Sequence, residues 1–426
     1  MKKLIKNGTI VFFDKTEKAD IIISNGKIEK IGKNLKCNEC ETFDVNGKHI
    51  FAGFVDMHVH LREPGQEEKE TINSGSKAAA KGGFCSIACM PNTNPVNDNI
   101  VVLEYVKAKA EKCAGAKVYP ICAATKGQKG EQLTDMLSLY KAGAIAFSDD
   151  GLPIASANML KNVLQYTKEF DIPILNHSED ISLSAGGVAN EGYNASILGL
   201  KGIPNSSEAV GVARDIIIAE SLNASVHLCH ISTAQSVQLI REAKARGVSV
   251  TAETCPHYFA LTDECITGFN TNAKINPPLR SEADRKAVIK GIKDGTIDCI
   301  ATDHAPHSKA DKECAFADAA FGASGLETAF GVSYTHLVKT GEISLNKLSM
   351  LLTKTPANIL KLNALGLIEG ACADITIAEL DKKYVIDKKT FISQGKNTPF
   401  DGKEVYGEIA MTIVNGKVCY KKGEKA

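Results

Sequence analysis

Eight apolar, β-branched runs alternate with helical stretches through the middle of this chain, and that alternation constrains its fold more than any other feature. The runs are 54–59 (FVDMHV), 84–89 (FCSIAC), 116–122 (AKVYPIC), 144–148 (AIAFS), 172–177 (IPILNH), 225–230 (SVHLCH), 248–253 (VSVTAE) and 297–302 (IDCIAT). Between them, segments such as SEAVGVARDIIIAESL, SVQLIREAKARG and EADRKAVIKGIKDG carry apolar residues at the period of an amphipathic helix. Eight strands alternating with helices predict an α/β chain built as a (β/α)8 barrel. Longer inserts follow the fifth, seventh and eighth strands, on the face where such barrels keep their active sites. A doubly wound open sheet would share the alternation, but no glycine-rich dinucleotide fingerprint follows the first strand. The barrel is favoured.

The flanks read differently. Residues 1–51 form short alternating strands broken at Asn7-Gly8, Asn25-Gly26 and Asn46-Gly47. From Leu367 the same style returns in ADITIAEL and in AMTIVNGKVCY, with its Asn415-Gly416. Both ends together, 1–51 with 367–426, are expected to build a small β-sandwich domain beside a barrel over 52–366.

The residues that end the barrel strands are the informative ones. The first strand runs into His58-Val59-His60, whose imidazoles share a face because strand residues alternate. The fourth ends in Ser148-Asp149-Asp150-Gly151, the fifth at His177, the sixth at His230 and the eighth at Asp303. A single strand-end histidine is usually structural, and a lone aspartate there is often a helix cap. Five strand ends of eight with such residues predict a metal site instead. Nitrogen and oxygen donors suit zinc, with manganese or cobalt as substitutes. Six donors exceed what one tetrahedral ion uses, so two ions bridged by a shared group fit better. The residues alone do not choose between Asp149 and Asp150 as that bridge. Among the other histidines, His227 is expected to pack between barrel and helices and His257 to hold structure. His49 and His336 have no supporting context.

Composition serves mainly to exclude. Lys+Arg and Asp+Glu each total 50, so no net field draws nucleic acid or an acidic membrane. The apolar run at the N-terminus is too short and interrupted for a signal peptide or a span, which leads to the expectation of a cytoplasmic protein. Thirteen cysteines, scattered and odd in number, read as reduced thiols of a reducing compartment. Cys37 and Cys40 form a lone CxxC without a second pair.

At this point the residues resemble a family. FVDMHVHLREPG (54–65), MPNTNP (90–95), AFSDDG (146–151), ILNHSED (174–180), HLCHIST (227–233), INPPLR (275–280), ATDHAPH (301–307) and FGASGLET (321–328) are similar, in order, to motifs of dihydroorotases in the amidohydrolase superfamily. The resemblance implies metal ligands at His58, His60, Asp150, His177, His230 and Asp303, with Asp150 bridging two zinc ions where many relatives use a carboxylated lysine. It implies substrate contacts from His60, Arg62, Asn92, Asn276, His307 and the backbone around Phe321 and Gly322. The implied reaction is the reversible cyclisation of N-carbamoyl-L-aspartate to dihydroorotate in pyrimidine biosynthesis. Family members are commonly homodimeric, and some associate with aspartate carbamoyltransferase. Ala320 stands where relatives often have proline, a departure expected to loosen the loop from Lys309 to Ala320.

The chemistry fits the parts. A carboxylate beside the metals can take a proton from water and pass it to a departing ring nitrogen, which assigns Asp303 as general base and acid. Arg62 offers a planar fork suited to a substrate carboxylate, with Asn92 as a second donor. A hydantoinase, dihydropyrimidinase or allantoinase is the nearest alternative, but substrates without a carboxylate give no general need for Arg62. A catalytically dead relative would typically have lost metal ligands, and all six are present here.

Overall fold

The computed structural model describes residues 2–363 and 366–424. The chain opens with β1 (Lys2–Val11), β2 (Thr16–Ser24), β3 (Lys27–Gly32), β4 (Cys40–Asp44) and β5 (His49–Ala52). The barrel follows with β6 (Phe54–Val59), β7 (Phe84–Cys89), β8 (Lys117–Pro120) and β9 (Leu175–Asn176). A short parallel pair, β10 (Ala189–Asn190) and β11 (Gly202–Ile203), sits in the insert after β9. The barrel resumes with β12 (Val226–Leu228), β13 (Val250–Thr254) and β14 (Cys299–Ile300), and β15 (Ile375–Val385), β16 (Glu404–Val414) and β17 (Lys417–Lys421) come last.

The barrel strands form two parallel arcs, β6-β7-β8 and β9-β12-β13-β14. Phe147 joins the arcs by pairing with Cys122 on one side and Ile174 on the other, and a bridge from Val59 to His304 closes the ring. The strand expected over 144–148 is therefore reduced to one bridging residue. Its neighbours explain the reduction, because Ile145 and Phe147 donate to Pro120 and Pro173, which have no N–H to return. Met57, Ala88, Met90, Ile121, Ala146, Leu175, Cys229, Cys299 and Ala301 make up one buried cluster of strand and strand-end residues, so the barrel interior is packed rather than open.

The helices fall where the apolar period placed them, at Asn205–Leu222, Ala234–Ala245 and Glu282–Asp294. Thr233 and Ser281 start the second and third by accepting from Ser236 and Asp284 N–H. Asn223 and Gly295 stop the first and third in the left-handed region. Each buries one stripe, such as Val237, Ile240 and Ala243. No described helix is long and apolar enough to cross a membrane.

Strands from both ends share one sheet, ordered β17-β16-β15-β5-β1-β2-β3 with β4 against β1. β5 is its seam, parallel to β1 and antiparallel to β15. Ile5, Ile21, Ile28, Ile50, Ile375 and Ile413 lie in a single buried cluster, so the sheet closes over its own core. Asn25-Gly26 and Asn415-Gly416 turn hairpins with both residues at positive φ. Asn7-Gly8 makes no turn. It is a bulge within β1, where Asn7 takes φ 63° and donates to Asp20 and Asp44. Between β15 and β16 the chain leaves the sheet and packs on the barrel rim, with Ile392 N–H donating to Glu327 (2.8 Å) and Ser393 Oγ bonded to Glu70.

Candidate metal centre

All six strand-end residues meet at the rim. Asp150 stands in the middle, 2% exposed. Its Oδ2 lies 3.1 Å from His58 Nε2 and 3.4 Å from His60 Nε2. Its Oδ1 lies 3.3 Å from His230 Nε2 and 3.6 Å from His177 Nδ1. Asp303 Oδ1 completes the first side, 3.1 Å from His60 Nε2 and 3.5 Å from His58 Nε2. One carboxylate thus faces two ligand groups, His58 with His60 and Asp303, and His177 with His230.

The remaining ring nitrogens decide what this arrangement can hold. His58 Nδ1–H donates to Glu253 Oε1 (2.6 Å), His60 Nδ1–H to Asn92 Oδ1 (2.8 Å) and His177 Nε2–H to Glu179 Oε2 (2.8 Å). The opposite nitrogens, His58 Nε2, His60 Nε2 and His177 Nδ1, face Asp150 or Asp303. Burial pulls His58 and His177 down, but Asp150, with Glu253 and Glu179, outweighs it and raises His58 above the usual imidazole range and His177 to about 10. Asp150 Oδ1 is buried with no hydrogen-bond partner among the described residues. A buried carboxylate ringed by imidazoles calls for positive charge between them, and the nitrogen–oxygen donor set fits zinc-like ions. Burial alone would raise Asp150 and Asp303, but the imidazoles, His58 first for Asp150 and His60 first for Asp303, outweigh it and hold both carboxyls below their usual range.

The choice between the two aspartates follows from their neighbours. Asp149 accepts from Thr125 N–H (2.9 Å) and bonds the Thr125 hydroxyl, so it braces the loop after β8. Asp150 alone reaches the histidines.

Above this floor lies a cavity of about 210 Å³, lined by His60, Arg62, Asn92, Asp150, Gly151, His177, His230, Asn276, Asp303, Ala305, His307, Phe321 and Gly322. Arg62, at φ 63°, is buried. Its Nε donates to Pro306 O (3.2 Å), and NH2 touches His307 Nε2 at 3.3 Å. That nitrogen already donates to Phe321 O (2.7 Å), so the His307 contact gives the guanidinium no acceptor. Burial, only partly countered by Asp303, pulls Arg62 down to about 10. Burial and then Arg62 pull His307 down to about 3, so its ring is neutral. Asn276 Nδ2 donates to Glu179 Oε2 (3.3 Å). At the wall, Gly322 N–H goes to Lys274 O (3.0 Å) and Gly322 O accepts from Asn397 Nδ2 (3.0 Å).

The loop from Lys309 to Ala320 is tied rather than loosened at Ala320. Ala320 N–H donates to Asp311 O (3.0 Å), a bond proline lacks, and Ala320 O accepts from Lys312 Nζ (2.6 Å). His227 does not pack simply between barrel and helices. It faces Glu253 Oε2 (3.3 Å) and Thr251 Oγ1 (2.8 Å), because His230 at φ 37° breaks the strand alternation on which that expectation rests. His257 is buried against Tyr258, and burial lowers it to about 4. All thirteen cysteines are free, Cys37 and Cys40 included.

Sequence reasoning passed over Glu253, Glu179 and Asn397. Glu253 ends the seventh run, and a carboxylate closing an apolar strand was the available signal. Glu179 stands two residues after His177. Asn397 gives no sign in its own neighbourhood.

A sequence model of the Dihydro-orotase-like family matches residues 47–236. A protein of Thermoanaerobacter sp. (strain X514) named dihydroorotase is 50% identical over 426 residues, covering 100% of this chain and 99% of its own. A dihydroorotase of Pelotomaculum thermopropionicum is 50% identical over 420 residues, 98% of each chain. The solved L-hydantoinase of Arthrobacter aurescens superposes with a TM-score of 0.90 at 26% identity, covering 100% of this chain and 97% of that one.

Proposed function

The chain belongs to the dihydroorotase family, and from that premise we propose that it catalyses the reversible, zinc-dependent cyclisation of N-carbamoyl-L-aspartate to (S)-dihydroorotate and water, a step of pyrimidine biosynthesis. Arg62 carries this reading. A guanidinium buried beside a cyclic-amide site, whose hydrogen-bond partners among the described residues are Pro306 O and the edge of His307, suits a substrate that brings its own carboxylate. A hydantoin or dihydrouracil would leave that charge uncompensated.

His58, His60 and Asp303 would hold one zinc ion, and His177 with His230 the other, with Asp150 between them. Bound there, the pair would polarise the ring carbonyl and activate water. Asp303 takes the proton of the attacking water and delivers it to the departing ring nitrogen. Arg62 and the Asn92 amide nitrogen grip the carboxylate, since Asn92 Oδ1 is committed to His60. Asn276, His307 and the Phe321–Gly322 wall fix the ring. The reading entails a small-molecule substrate, no nucleic acid or membrane, a cytoplasmic setting and a homodimer, with aspartate carbamoyltransferase as a candidate partner.

The test is ring opening by the zinc-loaded protein, followed with dihydroorotate and dihydrouracil side by side. Dihydroorotate should turn over and dihydrouracil should be a poor substrate. Equal turnover of the two would transfer the assignment to a dihydropyrimidinase.

A further inference from the structure

Asn397 lies in the excursion between β15 and β16 and is 3% exposed. Its Nδ2 donates to Ala305 O (3.1 Å) and Gly322 O (3.0 Å). Its Oδ1 accepts from His307 N–H (2.9 Å) and Ser324 Oγ (3.1 Å). Both amide protons are therefore spent and Oδ1 is taken by His307 N–H, with the single Ser324 hydroxyl proton shared between Oδ1 and Gly395 O (2.8 Å). Its backbone carbonyl also accepts, from Ser324 N–H at 2.7 Å. These partners all belong to two rim loops, 305–307 and 321–324, that supply Ala305, His307, Phe321 and Gly322 to the cavity. Asn397 itself does not line the cavity.

The effect reaches Arg62 through one more bond. Pro306, between two residues that Asn397 holds, accepts from Arg62 Nε (3.2 Å). The same excursion backs Pro306 directly, because a Cβ on Gly395 would fall 2.5 Å from Pro306 Cβ, a distance only glycine permits. Two loops, one histidine and one guanidinium are thus set against a single buried amide.

We propose that Asn397 is a positioning residue for substrate recognition, fixing the two rim loops so that Arg62 and His307 meet a carboxylate-bearing ring in one orientation. The proposal rests on the reading that this cavity takes dihydroorotate. Preorganised contacts bind substrate only while their support holds them, so loss of the support should weaken binding before it touches the metal floor.

The experiment compares Asn397→Ala, Asn397→Asp and Gly395→Ala with a control, Asn346→Ala. Asn346 Nδ2 donates to Phe12 O (2.7 Å) and Lys15 O (2.9 Å) at the β1–β2 turn, remote in sequence from every cavity residue. KM and kcat for dihydroorotate, metal content and melting temperature are measured on zinc-loaded protein. Asn397→Asp keeps the acceptor for His307 N–H but sets a second acceptor against two carbonyls, so it should behave like alanine. All three rim variants should raise KM by at least about tenfold while kcat falls less than about threefold and metal content holds. The control should lower the melting temperature with KM unchanged. If Asn397→Ala fails to fold, Asn397→Asp and Gly395→Ala carry the test. A folded Asn397 variant with KM within about twofold of the unsubstituted enzyme, or one whose kcat falls in step with metal loss, overturns the proposal. Failure of the unsubstituted protein to open dihydroorotate would instead overturn the assigned activity.

Discussion

The floor and the wall of the cavity are built on opposite plans. The floor consists of side chains on strand ends, and three of its four rings are aimed by a partner of their own: Glu253 for His58, Asn92 for His60, Glu179 for His177. The wall consists largely of loop backbone, held by a side chain that arrives from a distant part of the chain, Asn397 on Ala305 and Gly322. A charged centre needs donors fixed in direction, which a barrel strand provides. A specificity surface needs carbonyls and amides held in place, and a loop cannot hold its own. The two should therefore fail differently, the floor through lost metal or chemistry and the wall through lost affinity.

The largest effect should come from emptying the floor. Chelation should abolish activity and lower the melting temperature, because the ligands come from five strand ends and binding stabilises the fold by mass action. Zinc, manganese or cobalt should restore turnover, and undiminished activity in rigorously metal-free protein would break the comparison at its root. Next comes Asp303→Asn, which keeps the shape but cannot accept a proton at neutral pH. Turnover should fall by about 10²–10⁴-fold with metal content retained. A near-normal rate with the metals in place would move the proton carrier elsewhere, and neutral His307, with its Nε2–H given to Phe321 O, is poorly suited to replace it.

Two smaller effects sharpen the contrast between floor and wall. Arg62→Lys should weaken dihydroorotate binding by about 1–3 kcal/mol, since lysine cannot reproduce the fork, and isothermal titration with the metals bound would read it directly. Unchanged affinity would remove Arg62 from substrate recognition. Glu253→Gln should leave KM nearly alone and weaken zinc binding by about 10–100-fold, measured by competition with a chromophoric chelator. If it instead raised KM at full metal occupancy, floor and wall would not be separable in the way their construction implies.

The same division explains what could be read from the sequence. His58 and His60, His177, His230 and Asp303 stand at strand ends, where local pattern and position coincide, so their convergence was legible. Asp149 and Asp150 were not separable, because the residue that occupies Asp149 is Thr125, which no local pattern connects to it. The fourth strand was overread since the prolines that deny it a ladder lie in its neighbours. Asn7-Gly8 has the composition of a hairpin, yet its bulge depends on Asp20 and Asp44. Asn397 shows the limit most clearly. Its partner His307 is 90 residues away, and an asparagine in SQGKNTPF looks like any loop residue until the fold brings the two together.

The seam strand β5 has a consequence for how the molecule comes into being. Its two neighbours are β1, separated from it in sequence by three strands, and β15, made only after the whole barrel. On the ribosome, the edge that β15 will cover stays open while the whole barrel is translated, and long-range pairing of this kind is slow and exposed to misassociation. The stretch of chain that follows the barrel both closes that edge and delivers Asn397 to the rim. A nascent protein can therefore gather every proposed metal ligand well before its specificity surface is complete, so recognition of substrate ripens last.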